Sequence, residues 1–413
     1  MGPSQIRSWA GPTRRGEVAG SADRSTTRLL IVALVLFLVT LVWVAPFTRF
    51  DEAYDLNVYR NGGIAVLHGG EPYSEPPHYV GPHFTYPPFA SVAFTPLALL
   101  PLSADRVLMI IVSLACVVLL ALLSVCAERP ARLDDPGLWT VVLAAAAIGL
   151  VLEPVMSTLS FGQVNLLLAV LVVTDLVPRR RVLPQGVLIG LAAGLKLVPG
   201  LFIVYLLLTR RLRAAAWASG TFAVTVAVGF AVMPAAAWTY WTRYAFDPSR
   251  AGPIGYVGNQ SLRAVLARLL DDPGLLRGLW LAFALVVLVA GLWIAVLLQR
   301  RDRELAAVCA VALTGLLVSP ISWQHHWVWA LPIAVLLLVG GDTAGRRGWT
   351  AVGVAWCLLF CLAPIWWVAN PFLPAPRSGW RVLTSNSYTV AGVLMLFALG
   401  VLAHRIDARS RLG

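Results

Sequence analysis

Apolar residues run in long unbroken blocks along this chain, and short basic clusters separate them. Blocks at 29–47, 105–126, 138–153, 163–178, 214–233, 274–298, 305–319, 326–340, 349–367 and 387–403 each come near the ~20 residues a helix needs to cross a bilayer. Only helices satisfy their own backbone in lipid, short of a closed barrel, so the pattern predicts an all-α polytopic membrane protein with about 10 full spans. An eleventh block, 184–208, is interrupted by Lys196 and by Pro199 and Gly200. Arg179, Arg180 and Arg181 precede it, and Arg210, Arg211 and Arg213 follow it. A single span would leave one triplet outside. A re-entrant hairpin keeps both in the cytoplasm, and its irregular tip is tolerated if protein surrounds it.

With the hairpin the chain holds up to 12 helices and places both termini in the cytoplasm. Residues 1–28 form a cytoplasmic segment, 29–403 one transmembrane domain, and 404–413 a cytoplasmic tail. The block at 29–47 is long for a signal peptide and no small-residue cleavage site follows it. On this topology 21 of the 32 basic residues are cytoplasmic and 10 are external, the bias that sets membrane orientation. The large first external loop, 48–104, ends in FASVAFTPLALLPL, too short to span and predicted to be an interfacial or re-entrant helix.

Composition agrees and narrows the class. Of 413 residues 59% are hydrophobic and 13% charged, and mean hydropathy is +0.77. An ordinary soluble domain carries about 25% charged residues, so a soluble globule, a disordered chain and a disulfide scaffold are excluded. The net charge of +12 and pI near 10.1 do not point to nucleic acid, because the arginines punctuate apolar runs. Of the 32 basic residues 31 are Arg, and Lys196 is the single lysine. The five cysteines form no CxxC and no Cys/His cluster, so they read as small hydrophobes and support no metal site. No P-loop, dinucleotide fingerprint or nucleophile elbow is present.

The first external loop holds five acidic residues, Asp51, Glu52, Asp55, Glu71 and Glu75. Asp55, between Tyr54 and Tyr59 and close to the membrane, has the setting of a general base for a hydroxyl. A helix cap or loop carboxylate fits it equally well. Tyr59 is a candidate sugar contact. Lys196 lies about twelve residues into the hairpin, ~18 Å of helical rise, where a lipid phosphate is its natural partner and snorkelling the alternative. SPISWQHHWVW sets His325 and His326 at the outer end of a helix, pointing to different faces, beside Trp323. Such aromatics stack on sugars or simply anchor the interface. Gln163 and Asn165 in FGQVNLL, and Asn259, Gln260 and Arg263 in GNQSLRAVL, offer hydrogen bonds to sugar hydroxyls or phosphate. Helix capping is the plainer use of each.

Together, DLNVYRNGG (55–63), YPPF (86–89), GQVNLL (162–167), GLAAGLKLVPGLFIVYLLLTRR (190–211), NQSLRAVL (259–266) and SPISWQHHWVW (319–329) resemble glycosyltransferase family 87. They occur in family order, while 368–413 carries no such motif. The resemblance implies a GT-C fold with its site on the extracytoplasmic face of the plasma membrane. It also implies a polyprenyl-phosphate mannose donor and a mannosylated lipid acceptor, a phosphatidylinositol mannoside or lipomannan. The linkage implied is α-1,2, formed with inversion. In such enzymes the first-loop aspartate is the base, which maps onto Asp55. Lys196, His325 and His326 map onto groups that grip donor phosphate or sugar, while Arg263 is a further candidate for the phosphate and Trp323 for the sugar. No cofactor is implied, and a divalent metal is possible but not required. The competing expectation is a lipid-sugar flippase or transporter, which usually shows internal repeats that this chain lacks.

Overall fold

The computed structural model describes residues 24–48, 53–74, 83–178, 181–340, 346–367 and 379–410. Asp51, Glu52, Glu75, Arg179 and Arg180 lie outside the described residues. The chain opens with α1 (Arg24–Val44), and the first loop folds into α2 (Tyr54–Leu67), α3 (Pro88–Ala93) and α4 (Thr95–Ala98). Then come α5 (Leu102–Glu128), α6 (Pro136–Val151), α7 (Glu153–Phe161), α8 (Asn165–Leu176), α9 (Val187–Leu195) and α10 (Leu201–Leu208). Next are α11 (Leu212–Val232), α12 (Pro234–Thr242), α13 (Leu262–Leu269), α14 (Pro273–Gln299) and α15 (Glu304–Val318). The chain closes with α16 (Ala330–Leu338), α17 (Arg346–Leu362), α18 (Trp380–Ser385) and α19 (Ser387–Ser410). Among the described residues the sole extended pairing is an isolated bridge between Asn259 and Trp323.

Every apolar block is helical, but the blocks differ in length. Helices α1, α5, α11, α14, α17 and α19 are long and apolar enough to cross a membrane. The block at 138–153 becomes a broken pair, with α7 turned by 72° from α6. Pro154 sits at the bend, where a missing N–H and a ring clash end a helix. The blocks at 163–178, 305–319 and 326–340 form shorter apolar helices. These are the central ones: α15 is buried on all sides from Leu305 to Leu317, and most of α8 and α16 with it. Outside them α1, α14 and α19 expose Leu29, Ile31, Leu281, Phe283, Leu394 and Phe397. An apolar girdle of this extent is the surface of a polytopic protein solvated by lipid.

Residues 184–208 fold back on themselves. A Cβ at Gly186 would meet the backbone of Ala214, one at Gly190 that of Ala218, and one at Gly194 the side chain of Thr225. Helix α9 therefore runs parallel to α11, while α10, joined to α11 by a three-residue turn, must run the other way. Lys196 sits at the tip, with extended dihedrals (φ −153°, ψ 131°), and Pro199 follows. Thr225 is thirteen residues into α11, so the tip stands ~20 Å above the hairpin's open end.

Polar contacts mark that open end. The Asp175 carboxylate accepts from the backbone N–H of Gly186 (2.7 Å) and Ile189 (2.9 Å), capping the start of α9. Arg211 pairs with Glu304 at 2.9 Å, and Arg303 with Glu128 at 3.0 Å. At the opposite end Arg60 of α2 pairs with the fully buried Asp105 of α5 and donates to the carbonyls of Leu97 and Leu100, both at 2.7 Å. That set of contacts fixes the first loop on the bundle. Residues 89–102 give the two short helices α3 and α4, where one interfacial segment is expected from the sequence.

Candidate functional site

Asp55 falls in the first turn of α2, after Ala53, and makes no capping bond. Its side chain, half-buried, is turned instead toward Gln163 and Lys196. Burial lifts its carboxyl from the ordinary range to about 6, against the opposing pull of a hydrogen bond from Gln163 and the charge of Lys196. A carboxylate with that affinity for protons is suited to take one from a hydroxyl near neutral pH.

Gln163 is delivered by a turn that only glycine makes easily. Helix α7 ends at Gly162 in the left-handed region (φ 68°), and α8 begins two residues after Gln163. The amide is 2% exposed and wholly engaged. Its Oε1 accepts from the Tyr59 hydroxyl at 2.7 Å and its Nε2 donates to the Tyr86 hydroxyl at 3.3 Å. The two hydroxyls are 3.3 Å apart, and Tyr59 Oη also accepts from the Val164 N–H at 3.5 Å. Tyr59 is itself fully buried, stacked on Phe94. Both residues line the base from behind.

Beyond the Tyr86 ring lies the hairpin tip. Lys196 Nζ stands 5.6 Å from the ring centroid, donates to Asn165 Oδ1 at 2.9 Å and meets His326 Nε2 at 2.9 Å. Asn165 Nδ2 and Thr158 Oγ1 both donate to the carbonyl of His325, at 3.0 and 3.1 Å. The two histidines thus divide. His326 faces Lys196, whereas the His325 ring is buried edge-on against Phe161. Beside Lys196, Asn165 and His326 a cleft continues between apolar walls that include Leu168, Val198, Phe202, Leu316 and Trp329.

The segment between α12 and α13 is pinned to the segment that precedes α16. Gln260 N–H donates to the Ser322 carbonyl (2.7 Å) and Gln324 N–H to the Gly258 carbonyl (2.8 Å), clasping 258–260 to 322–324. Asn259 and Gln260 are fully buried inside that clasp. Asn259 bonds the carbonyls of Ile254 and Pro320 and accepts from Ser261 and Ser322 N–H. Gln260 bonds the carbonyls of Val257 and Ser385. Every polar side-chain atom of the two is bonded to protein. Ser261 caps α13 through the Ala264 N–H. Arg263 lies 5.0 Å over the Trp280 ring on α14. Trp323, half-buried, packs edge-on against Tyr256.

Two buried polar residues escaped the sequence. Tyr86 lies in YPPF, where its hydroxyl gives no local sign of a partner at Gln163. Glu153 closes an apolar block, yet its carboxylate accepts from Ser157 (2.5 Å), Tyr388 (2.9 Å) and Trp366 (3.2 Å), bracing α7.

Comparison with known proteins gives the family of the chain. The profile of glycosyltransferase family 87 matches residues 84–320. A polyprenol-phosphate-mannose-dependent alpha-(1-2)-phosphatidylinositol mannoside mannosyltransferase of Mycobacterium tuberculosis is 38% identical over 289 residues, 68% of this chain and 66% of that one. A protein of the same description from Mycolicibacterium smegmatis is 33% identical over 400 residues, 89% of each chain. A phosphatidylinositol pentamannoside mannosyltransferase of M. smegmatis is 39% identical over 249 residues, 57% of this chain and 58% of that one. No solved structure matches.

Proposed function

The chain belongs to glycosyltransferase family 87, and from that premise we propose that it is an α-mannosyltransferase using polyprenyl-phosphate mannose. The acceptor is a mannosylated lipid, a phosphatidylinositol mannoside or lipomannan, and the bond formed is α-1,2. The observation that carries this reading is the meeting of Asp55 with Lys196 at one end of the bundle, through Gln163, Tyr86 and Asn165.

The chemistry is a single displacement. Asp55 accepts the proton of an acceptor mannose hydroxyl, and the oxygen attacks the anomeric carbon of a β-linked donor. The bond from that carbon to phosphate oxygen breaks, polyprenyl phosphate leaves with the electron pair, and the new linkage is α. Phosphate needs no strong acid to depart. The ammonium of Lys196, held by Asn165 and His326, meets the charge that develops on it. The cleft beside Lys196 has the apolar walls that a polyprenyl chain requires.

The same reading extends to the membrane. The fold is of the GT-C type, with about ten spans, counting the broken pair and the shorter central helices, and the hairpin entering from the cytoplasm. Both termini are cytoplasmic, and Asp55 and the hairpin tip face the outside of the plasma membrane. The arginine-rich open end of the hairpin supports that orientation. No divalent metal is required.

The test is a cell-free assay of the purified protein in lipid with radiolabelled polyprenyl-phosphate mannose and a panel of mannosylated phosphatidylinositols, run beside Asp55→Asn. The expected result is transfer of one hexose by the wild type and none by the variant. Movement of the donor across vesicles without transfer would establish the flippase instead.

A further inference from the structure

The chain from Ser319 to Ser322 borders the cleft beside Lys196, and both serines line it. Their hydroxyls are used differently. Ser319 Oγ donates to the Ile321 carbonyl at 2.7 Å, a bond within its own turn. Ser322 is wholly buried, and no described group bonds its Oγ. A buried hydroxyl without a partner is costly, so each one kept in a fold asks for a reason.

Loose backbone is not the reason. The clasp holds the Ser322 main chain on both sides: its N–H donates to Asn259 Oδ1 at 2.9 Å, and its carbonyl accepts from the Gln260 N–H at 2.7 Å. Two residues earlier the Pro320 carbonyl accepts from Ser261 Oγ at 3.2 Å and from Asn259 Nδ2 at 3.4 Å. The proline ring fixes its own φ as well. Asn259 and Gln260 thus immobilise the backbone of one serine whose hydroxyl they leave unbonded.

The same cleft already presents a cation. Lys196 Nζ has three protons, of which Asn165 Oδ1 and His326 Nε2 take two. No carboxylate stands among the residues that line the cleft. An ammonium proton and a serine hydroxyl bordering one cavity make a donor set for an anion with several oxygens. A lysine holds phosphate as a point charge, whereas a hydroxyl adds a direction.

We propose that Ser322 is a second phosphate ligand of the donor site, its hydroxyl donating to a non-bridging oxygen of the polyprenyl-linked phosphate that Lys196 neutralises. This rests on the reading of the cleft as the donor site and adds a residue to it. The clasp then has a use beyond joining two segments, because it sets the hydroxyl in place before the donor enters. Ser322 meets the phosphate both in the donor and in the polyprenyl phosphate that departs.

The experiment compares wild type, Ser322→Ala and Ser322→Cys, each full length in lipid. Thermal melts are titrated with a polyprenyl phosphate and, separately, with the polyprenol that lacks the phosphate. Without ligand Ser322→Ala should melt at or above the wild type, since it removes a polar group that the fold does not satisfy. Its affinity for polyprenyl phosphate should fall about ten-fold or more, as for loss of a hydrogen bond to a charged group. Affinity for the polyprenol should stay unchanged, and the donor KM should rise with the phosphate-specific loss. Ser322→Cys keeps the volume with a weaker donor, so it reads the same difference if Ser322→Ala fails to fold. Unchanged preference for phosphate over alcohol in the variants would overturn the proposal, and a lowered melting point beside it would make Ser322 a structural residue. A wild type that binds both lipids equally would instead overturn the reading of the cleft, a distinguishable failure.

Discussion

Lys196 Nζ and His326 Nε2 stand 2.9 Å apart at the tip of the hairpin. An ammonium only donates, so the imidazole accepts at Nε2 and carries its proton on Nδ1. His326 is thereby a neutral support that aims the lysine, with Asn165 as its second support.

Lys196→Gln removes the charge that meets the departing phosphate. Transfer should fall by about 10²-fold or more, as for loss of one preorganised stabilising group. His326→Gln preserves an acceptor near Lys196 and is expected to lose less. Single-turnover rates with saturating donor check both, and equal losses in the two variants would mean that His326 itself contacts the donor.

The base makes its own demand on stability. Burial raises the Asp55 carboxyl to about 6, above its ordinary value of 3.8, so the folded state favours the protonated form. The stability that protonation provides is present below the ordinary value and lost as pH rises toward 6. Asp55→Asn should therefore abolish transfer by ~10²–10⁴-fold and raise the thermal midpoint at pH 7. In the wild type kcat/KM should climb through pH 6 as the base ionises. Thermal melts and a pH–rate profile read both, and a limb near pH 4 would contradict the raised value.

How much of this could be read from the sequence depended on whether the cue was local. Asp55 and Lys196 stand out because each is charged next to membrane, and charge in that setting is costly without a purpose. The hairpin followed from two arginine triplets that a single span could not keep on one side. Asn259 and Gln260 left both uses open, since an amide in a loop reads alike whether it meets a sugar or a backbone. Their partners, at Ser322 and Ser385, are more than sixty residues distant. Tyr86 and Glu153 were hidden for the same reason. The histidine pair could be split only by packing, which buries one ring against Phe161 and leaves the other on Lys196.

The clasp between 258–260 and 322–324 makes Asn259 a structural residue with a measurable signature. Asn259→Ala strips partners from the Ser322 and Ser261 N–H groups and from buried carbonyls of Ile254 and Pro320. Each unpaired buried group costs about 1–3 kcal/mol. The variant is expected to lose folded yield or melt well below the wild type, and the surviving fraction should keep its affinity for acceptor. Normal melting with weakened acceptor binding would return Asn259 to the sugar site.

Chelation separates a lysine-assisted displacement from a metal-assisted one. The charge that forms on the leaving phosphate is met by Lys196 Nζ, whose partners Asn165 and His326 leave donor capacity facing the cleft. Transfer should then persist in EDTA and be insensitive to added Mg²⁺ or Mn²⁺, while Lys196→Gln stays inactive under every metal condition. If EDTA stops the wild type and Mn²⁺ restores it, a cation carries the phosphate and Lys196 serves elsewhere. The same titration run on Lys196→Gln should leave the loss of transfer unchanged.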